Sequence, residues 1–151
     1  MDWQRNWSAC GKCGCLFFGE NLNISKCKGN AGGPHTMSQG GLAYMPNYFL
    51  QGTDDAPGQS GWAWCSKCQC LWMGLNSGSD CHAGGAHSKQ GSGDYTIIVS
   101  DQQAPGQAGW RWCNKCQGLW FASFGSAMKC PAGASHAQTG GHYWVQFFGH
   151  A

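Results

Sequence analysis

Three groups of soft, metal-binding side chains recur along this 151-residue chain at matched spacing. They are Cys10, Cys13, Cys27 and His35; Cys65, Cys68, Cys81 and His87; and Cys113, Cys116, Cys130 and His136. Each reads C-x2-C, then twelve or thirteen residues to a third cysteine, then five or seven to a histidine. A C-x-x-C turn sets two thiolates on one side of an ion, and the later Cys and His close a tetrahedron, which is how closed structural zinc sites are built. Three thiolates with one imidazole suit zinc rather than calcium or magnesium. The expectation is three structural zinc ions, one per group. The competing reading is a disulfide framework. It loses because the eleven cysteines are an odd total and most of them fall on the metal pattern.

The segments that must position these ligands repeat as well. WSACGKCGCLF at 7–17, WAWCSKCQCLW at 62–72 and WRWCNKCQGLW at 110–120 are three versions of one string, and Gln4, Gln59 and Gln107 each stand three residues before its first Trp. The linkers DDAPGQSGW and DQQAPGQAGW nearly coincide, and Pro57 and Pro105, each followed by Gly, mark a turn between units. One domain of three repeats follows, with boundaries at 1–55, 56–103 and 104–151. Apolar residues alternate with period two on both sides of the C-x-x-C turn, which predicts a β-hairpin with a zinc knuckle at its tip. Leu16, Leu71 and Leu119 share the core face with Phe18, Met73 and Phe121, while Phe17, Trp72 and Trp120 point the other way. A further aromatic strand is expected at Tyr44, Tyr95 and Tyr143, with Tyr48 an alternative to Tyr44. YTIIVS at 95–100 is the clearest strand by its β-branched content. Four strands in each of three units predicts an all-β fold with a threefold internal repeat, β-trefoil-like, each repeat carrying its knuckle. The alternative is three packed zinc-ribbon-like modules.

Charge and composition narrow the function. The formal net charge is +2 with cysteines neutral. Each zinc held by three thiolates and a neutral His carries one net negative charge, so three loaded sites bring the chain to about −1. No basic stripe accompanies the knuckles, which argues against nucleic acid as a partner. No stretch approaches a membrane span and no signal peptide is seen, so the expectation is a cytoplasmic protein or one secreted without such a signal. The seven acidic residues form no repeated pair suited to glycoside hydrolysis, and the repeated Cys and His belong to closed sites, which predicts no enzymatic activity. Cys15 and Cys70 match across two repeats where the third has Gly118; they read as buried apolar side chains, with a disulfide between repeats as the alternative. Lys12, Lys67 and Lys115 sit inside every knuckle, either to offset the thiolates and shape the turn or to meet an anionic ligand. His82 matches no repeat and reads as a surface residue, with a local alternative in which it stands in for His87.

The string W-x-W-C-x-K-C-x-x-L, with the later C-x-x-G-G-x-H and a Tyr strand, resembles repeats of little-characterised secreted proteins of bacteria and fungi, and covers nearly the whole chain. That resemblance implies no activity. The threefold organisation resembles β-trefoil lectins in architecture, although the Q-x-W signature of ricin-type trefoils is absent. Nine Trp exceed what a core of this size can hide. Exposed indoles beside polar groups are what sugar recognition uses, and repetition adds avidity. The reading is therefore a multivalent carbohydrate-binding protein whose partners are glycans or glycoproteins. Trp3, Trp64 and Trp112 are the candidate platforms, with Asp94 and His142 as polar partners. A protein-binding or toxin-targeting module is the alternative, and a nucleic-acid-binding zinc protein a more distant one.

Overall fold

The computed structural model describes residues 3–36, 46–52, 58–76, 79–104, 106–122 and 128–150. The first repeat carries β1 (Trp3–Ala9), β2 (Leu16–Phe18) and β3 (Pro46–Gly52); the second β4 (Gln59–Trp64), β5 (Leu71–Met73) and β6 (Tyr95–Val99); the third β7 (Gln107–Cys113), β8 (Leu119–Phe121), β9 (Gln138–Val145) and β10 (Phe147–His150). Helical structure among the described residues amounts to two 3-10 segments, Gly19–Ile24 and Lys28–Asn30. No helix among them is long and apolar enough to cross a membrane.

All ten strands belong to one antiparallel sheet that nearly closes on itself like a barrel. The knuckle hairpins form as the alternation predicts, with Trp7 opposite Phe18, Trp62 opposite Met73 and Trp110 opposite Phe121. The later strands join the repeats: β3 pairs with β6, β6 with β9, and β10 returns to β3. The short strands are linked in the same cyclic way, through bridges Phe17 to Cys70, Trp72 to Gly118 and Cys15 to Trp120. In support, Phe18 N–H donates to the Gln69 carbonyl at 2.9 Å, Met73 N–H to Gln117 at 2.8 Å and Phe121 N–H to Gly14 at 2.9 Å.

Two details correct the sequence reading. Ten strands are described: the third repeat has the expected four, the first and second have three each among the described residues, and the third cysteine and the histidine of every repeat lie outside the strands. In the first repeat Tyr48 lies opposite Trp7, as Tyr95 lies opposite Trp62 and Tyr143 opposite Trp110. Tyr48 is thus the strand equivalent; Tyr44 lies outside the described residues, as do Pro57 and Pro105. The glycines after those prolines are described. A Cβ on Gly58 would stand 2.3 Å from the Ile97 carbonyl oxygen and one on Gly106 2.6 Å from that of Val145, so only glycine lets the incoming strand lie against the aromatic strand.

The core has two parts, one on each face of the hairpins. Trp7, Trp62 and Trp110 are fully buried with Leu16, Leu71 and Leu119, and Tyr95 and Tyr143 are buried beside them. Each indole N–H donates to the Gln three residues earlier, at 3.0, 3.0 and 3.1 Å. That glutamine oxygen also accepts from the next repeat: Tyr95 donates to Gln4 at 2.6 Å and Tyr143 to Gln59 at 2.8 Å. Burial of three indoles with their N–H groups satisfied removes the usual cost of hiding a polar atom. The opposite face is also interior: Phe17, Trp72 and Trp120 pack among the cysteines.

Candidate metal centres and the surface around them

All twelve expected metal ligands are buried and fall into three sets, the ligand atoms of each set lying within 4.8 Å of one another. All eleven cysteines are free thiols, so no disulfide framework competes. Donor geometry tests the fit to zinc. A tetrahedral ion with Zn–S near 2.3 Å and Zn–N near 2.05 Å requires ligand edges of about 3.8 Å between sulfurs and about 3.5 Å between sulfur and nitrogen. The first and third cysteines of each set stand 3.8, 3.7 and 3.8 Å apart. The second cysteine lies 3.5, 3.5 and 3.6 Å from the Nδ1 of its histidine. These are sites for three structural zinc ions.

Local backbone explains why the knuckles fold this way. Amide N–H groups of Lys12 and Thr36 point at Cys10 Sγ at 3.4 Å, Ser88 N–H at Cys65 Sγ at 3.4 Å, and Ala137 N–H at Cys113 Sγ at 3.4 Å, which spreads thiolate charge into the turn. The residue after the second cysteine is left-handed in every copy: Gly14 at φ 77°, Gln69 at 77° and Gln117 at 69°. Lys67 Nζ donates to the Gly84 and Ala86 carbonyls at 2.7 and 2.9 Å, and Lys115 Nζ to those of Gly133 and Ser135 at 2.6 and 2.9 Å. These lysines clamp the glycine-rich turn with two of the three donors of each ammonium.

The sets are electrically polarised. Hydrogen bonds from Cys13 and Cys27 hold the Cys10 thiol far below its ordinary range, and those from Cys116 and Cys130 do the same for Cys113. Burial pulls the imidazoles down, yet hydrogen bonds and charge from the neighbouring sulfurs win and push His35 and His87 up to about 10. His136 is pulled down by burial and pushed up, first by the Cys15 charge, to about 12. Each cage therefore demands positive charge at its centre, which a divalent ion supplies.

The second nitrogen of every metal-facing histidine is committed. His35 Nε2 donates to the Cys68 carbonyl at 2.9 Å, His87 Nε2 to that of Cys116 at 3.0 Å, and His136 Nε2 to that of Cys13 at 2.7 Å. This fixes the tautomer with Nδ1 free for the ion. Phe17, Trp72 and Trp120 stack on these three imidazoles at centroid distances of 4.7, 5.0 and 4.7 Å. The outward aromatic face of the hairpin thus shields the metal centres.

His82 is neither at the surface nor a stand-in for His87. It is buried, and its Nδ1 accepts Lys28 N–H at 2.9 Å, so the proton sits on Nε2, directed at Cys15 Sγ 3.8 Å away. With Cys13 and Cys15 it forms a fourth potential ligand set. That set does not suit an ion, because Cys13 belongs to the first centre and the facing nitrogen is protonated. Cys15 and Cys70 are buried free thiols, Cys70 Sγ lying 3.3 Å from His35 Nε2.

The candidate sugar-contacting residues lie on or beside five different strands. Trp3 lies in β1, its side chain outside the described residues. Trp64 and Trp112 are half-buried, and their N–H groups donate to Gln69 and Gln117 at 2.7 and 2.8 Å. Asp94 is exposed just before β6. His142 is exposed on β9, with Nε2 3.7 Å from Asp101 Oδ1. Gln69 and Gln117 escaped the sequence reading, although a signal was present: Trp64 with Gln69 and Trp112 with Gln117 occur together, while the first repeat has Ala9 with Gly14. There the missing side chain is replaced by Met128, whose Cγ would be 3.1 Å from a Cβ on Gly14.

Comparison with known protein families, with characterised proteins and with solved structures finds no match for this chain.

Proposed function

We propose that this protein is a non-catalytic carbohydrate-binding module made rigid by three structural zinc ions. The observation that carries this reading is a surface cleft of about 380 Å³ lined by Ser100, Asp101, Arg111, His142 and Trp144. An aromatic ring beside a guanidinium, a carboxylate and an imidazole is the mixture that saccharides require, the ring face meeting C–H groups and the polar groups taking hydroxyls. The metal centres support the same reading from the other side. Their ligands are buried, and their histidines are committed on both nitrogens, Nδ1 to the ion and Nε2 to a backbone carbonyl, which leaves function to the surface.

The cyclic bridges between repeats support a trefoil-like closure over a row of separate modules. The multivalency suggested by the repeats has no counterpart in this cleft, whose lining is particular to the junction of the second and third repeats. The test is a glycan array with zinc-loaded protein at physiological salt, beside a metal-stripped control. Selective binding, lost in the control and competed by a free saccharide, is the expected result. A blank array from folded protein with three bound zinc ions would replace this reading with that of a protein partner.

A further inference from the structure

Three positions near the cleft depart from the repeat, and the departures converge. Where the third repeat has Arg111, the others have Ser8 and Ala63. Where it has Trp144, they have Phe49 and Thr96; where it has His142, they have Asn47 and Asp94. The register confirms the equivalence, since Arg111, Ala63 and Ser8 lie opposite Trp120, Trp72 and Phe17. Ser8 and Ala63 are buried, whereas Arg111 brings a half-buried guanidinium to the cleft.

The guanidinium is positioned but not neutralised. Its Nη1 donates to the Trp110 carbonyl at 2.8 Å, which ties one edge to the strand. Among the described residues no carboxylate pairs with it; Asp101, on the same cleft, stands 3.7 Å from His142 instead. Trp144 is held by its N–H to the Ser100 carbonyl at 2.9 Å, and Ser100 N–H donates to the His142 carbonyl at 3.0 Å. The rim is thus built before any ligand arrives, which lowers the ordering cost of binding. An arginine that lines a cleft and keeps donors beyond the one bonded to Trp110 can meet a carboxylate in a planar, two-pronged contact. The indole beside it offers a stacking surface for a ring, and Asp101 an acceptor for hydroxyls.

We propose that the cleft binds a saccharide bearing a carboxylate, such as a uronic or sialic acid residue, one per chain, with Arg111 holding the carboxylate and Trp144 the ring. This rests on the carbohydrate-binding reading above. The probes are oligosaccharides ending in glucuronic or sialic acid, and the same oligosaccharides with the carboxyl group reduced to the alcohol, titrated calorimetrically into zinc-loaded protein. One molecule of the acidic form should bind per chain, with at least tenfold weaker binding of the reduced form. Arg111→Ser, which places the first repeat's residue in the third, should remove that preference without lowering the melting temperature. In the unmodified protein, Trp144 indole and Arg111 side-chain NMR resonances should shift on binding, which covers the case of a variant that fails to fold. Equal binding of acidic and reduced forms, three acidic molecules per chain, or unchanged affinity in folded Arg111→Ser would overturn the acidic cleft while leaving a carbohydrate-binding protein. Absence of any saccharide binding by the folded three-zinc protein would sink both.

Discussion

His136 Nε2 stands 2.7 Å from the backbone carbonyl of Cys13, so a histidine of the last metal centre holds the knuckle of the first. The same bond joins His35 to Cys68 and His87 to Cys116, and the three close a ring. Every metal-facing imidazole is therefore also a strut between neighbouring repeats. Loss of one ion frees a histidine that was supporting the next centre.

Metal removal should accordingly be close to all-or-none. In native mass spectrometry during stepwise addition of a strong chelator, chains with three zinc ions and chains with none should dominate over those with one or two. A binomial spread of loading states would show the centres to be independent. Stripping all three should unfold the chain, because metal binding energy at such sites is folding energy.

His136→Cys separates the strut from the ligand. A fourth thiolate still satisfies zinc, so the variant should bind three ions. It leaves the Cys13 carbonyl without its imidazole donor, a loss of about 1–3 kcal/mol at a buried acceptor. A lower melting temperature at full metal content is the expected outcome; an unchanged one would show the bond to be dispensable.

Trp120→Phe and Trp110→Phe should differ although both remove a buried indole. The N–H of Trp120, like that of Trp72, has no acceptor, whereas that of Trp110 donates to Gln107. Removing an orphan donor relieves a penalty of about 1–3 kcal/mol and offsets the lost volume; removing a paired one strands its acceptor. Chemical denaturation should find Trp120→Phe the milder change by at least about 1 kcal/mol. Phe17 already occupies the corresponding position in the first repeat.

Gln117→Gly keeps the left-handed backbone that φ 69° requires while deleting the amide that accepts from Trp112 and Asn76. A loss of about 1–2 kcal/mol is expected. Trp112→Ala on top of it should cost less than in the parent, since the double variant recreates the Ala9 and Gly14 pairing of the first repeat. Strict additivity in the cycle would mean that the two side chains do not depend on each other.

Acid should release the ions, because the thiolates of each centre must be deprotonated to bind them. Zinc retention is complete where the thiolates hold their ions against protons and is lost as pH falls. A metal-sensitive dye should report release and loss of tertiary structure at the same pH.

The repeat, its twelve metal donors and the knuckle hairpins were legible in the chain because ligand spacing and period-two alternation are local properties. So was the inward face of Leu16, Leu71 and Leu119. The opposite face was not: Phe17, Trp72 and Trp120 alternate outward within the hairpin, and only the approach of the neighbouring repeats buries them against the histidines. Trp64 and Trp112 illustrate the same limit, since the sequence shows only that each occurs together with Gln69 or Gln117, and the turn there is what brings the amide to the indole N–H.

By itself, then, the sequence determined which atoms can hold metal, how many centres there are and where the hairpins turn, because each depends on contacts within one repeat. Only the tertiary structure decided that the centres are tied in a ring, that His82 is interior and that Arg111, Trp144 and His142 share a cleft with Asp101. The ring and the burial of His82 join different repeats, and the cleft joins β7 and β9 of the third repeat to the end of the second. Pairing of strands distant in the chain, within and between repeats, is what brings these residues together.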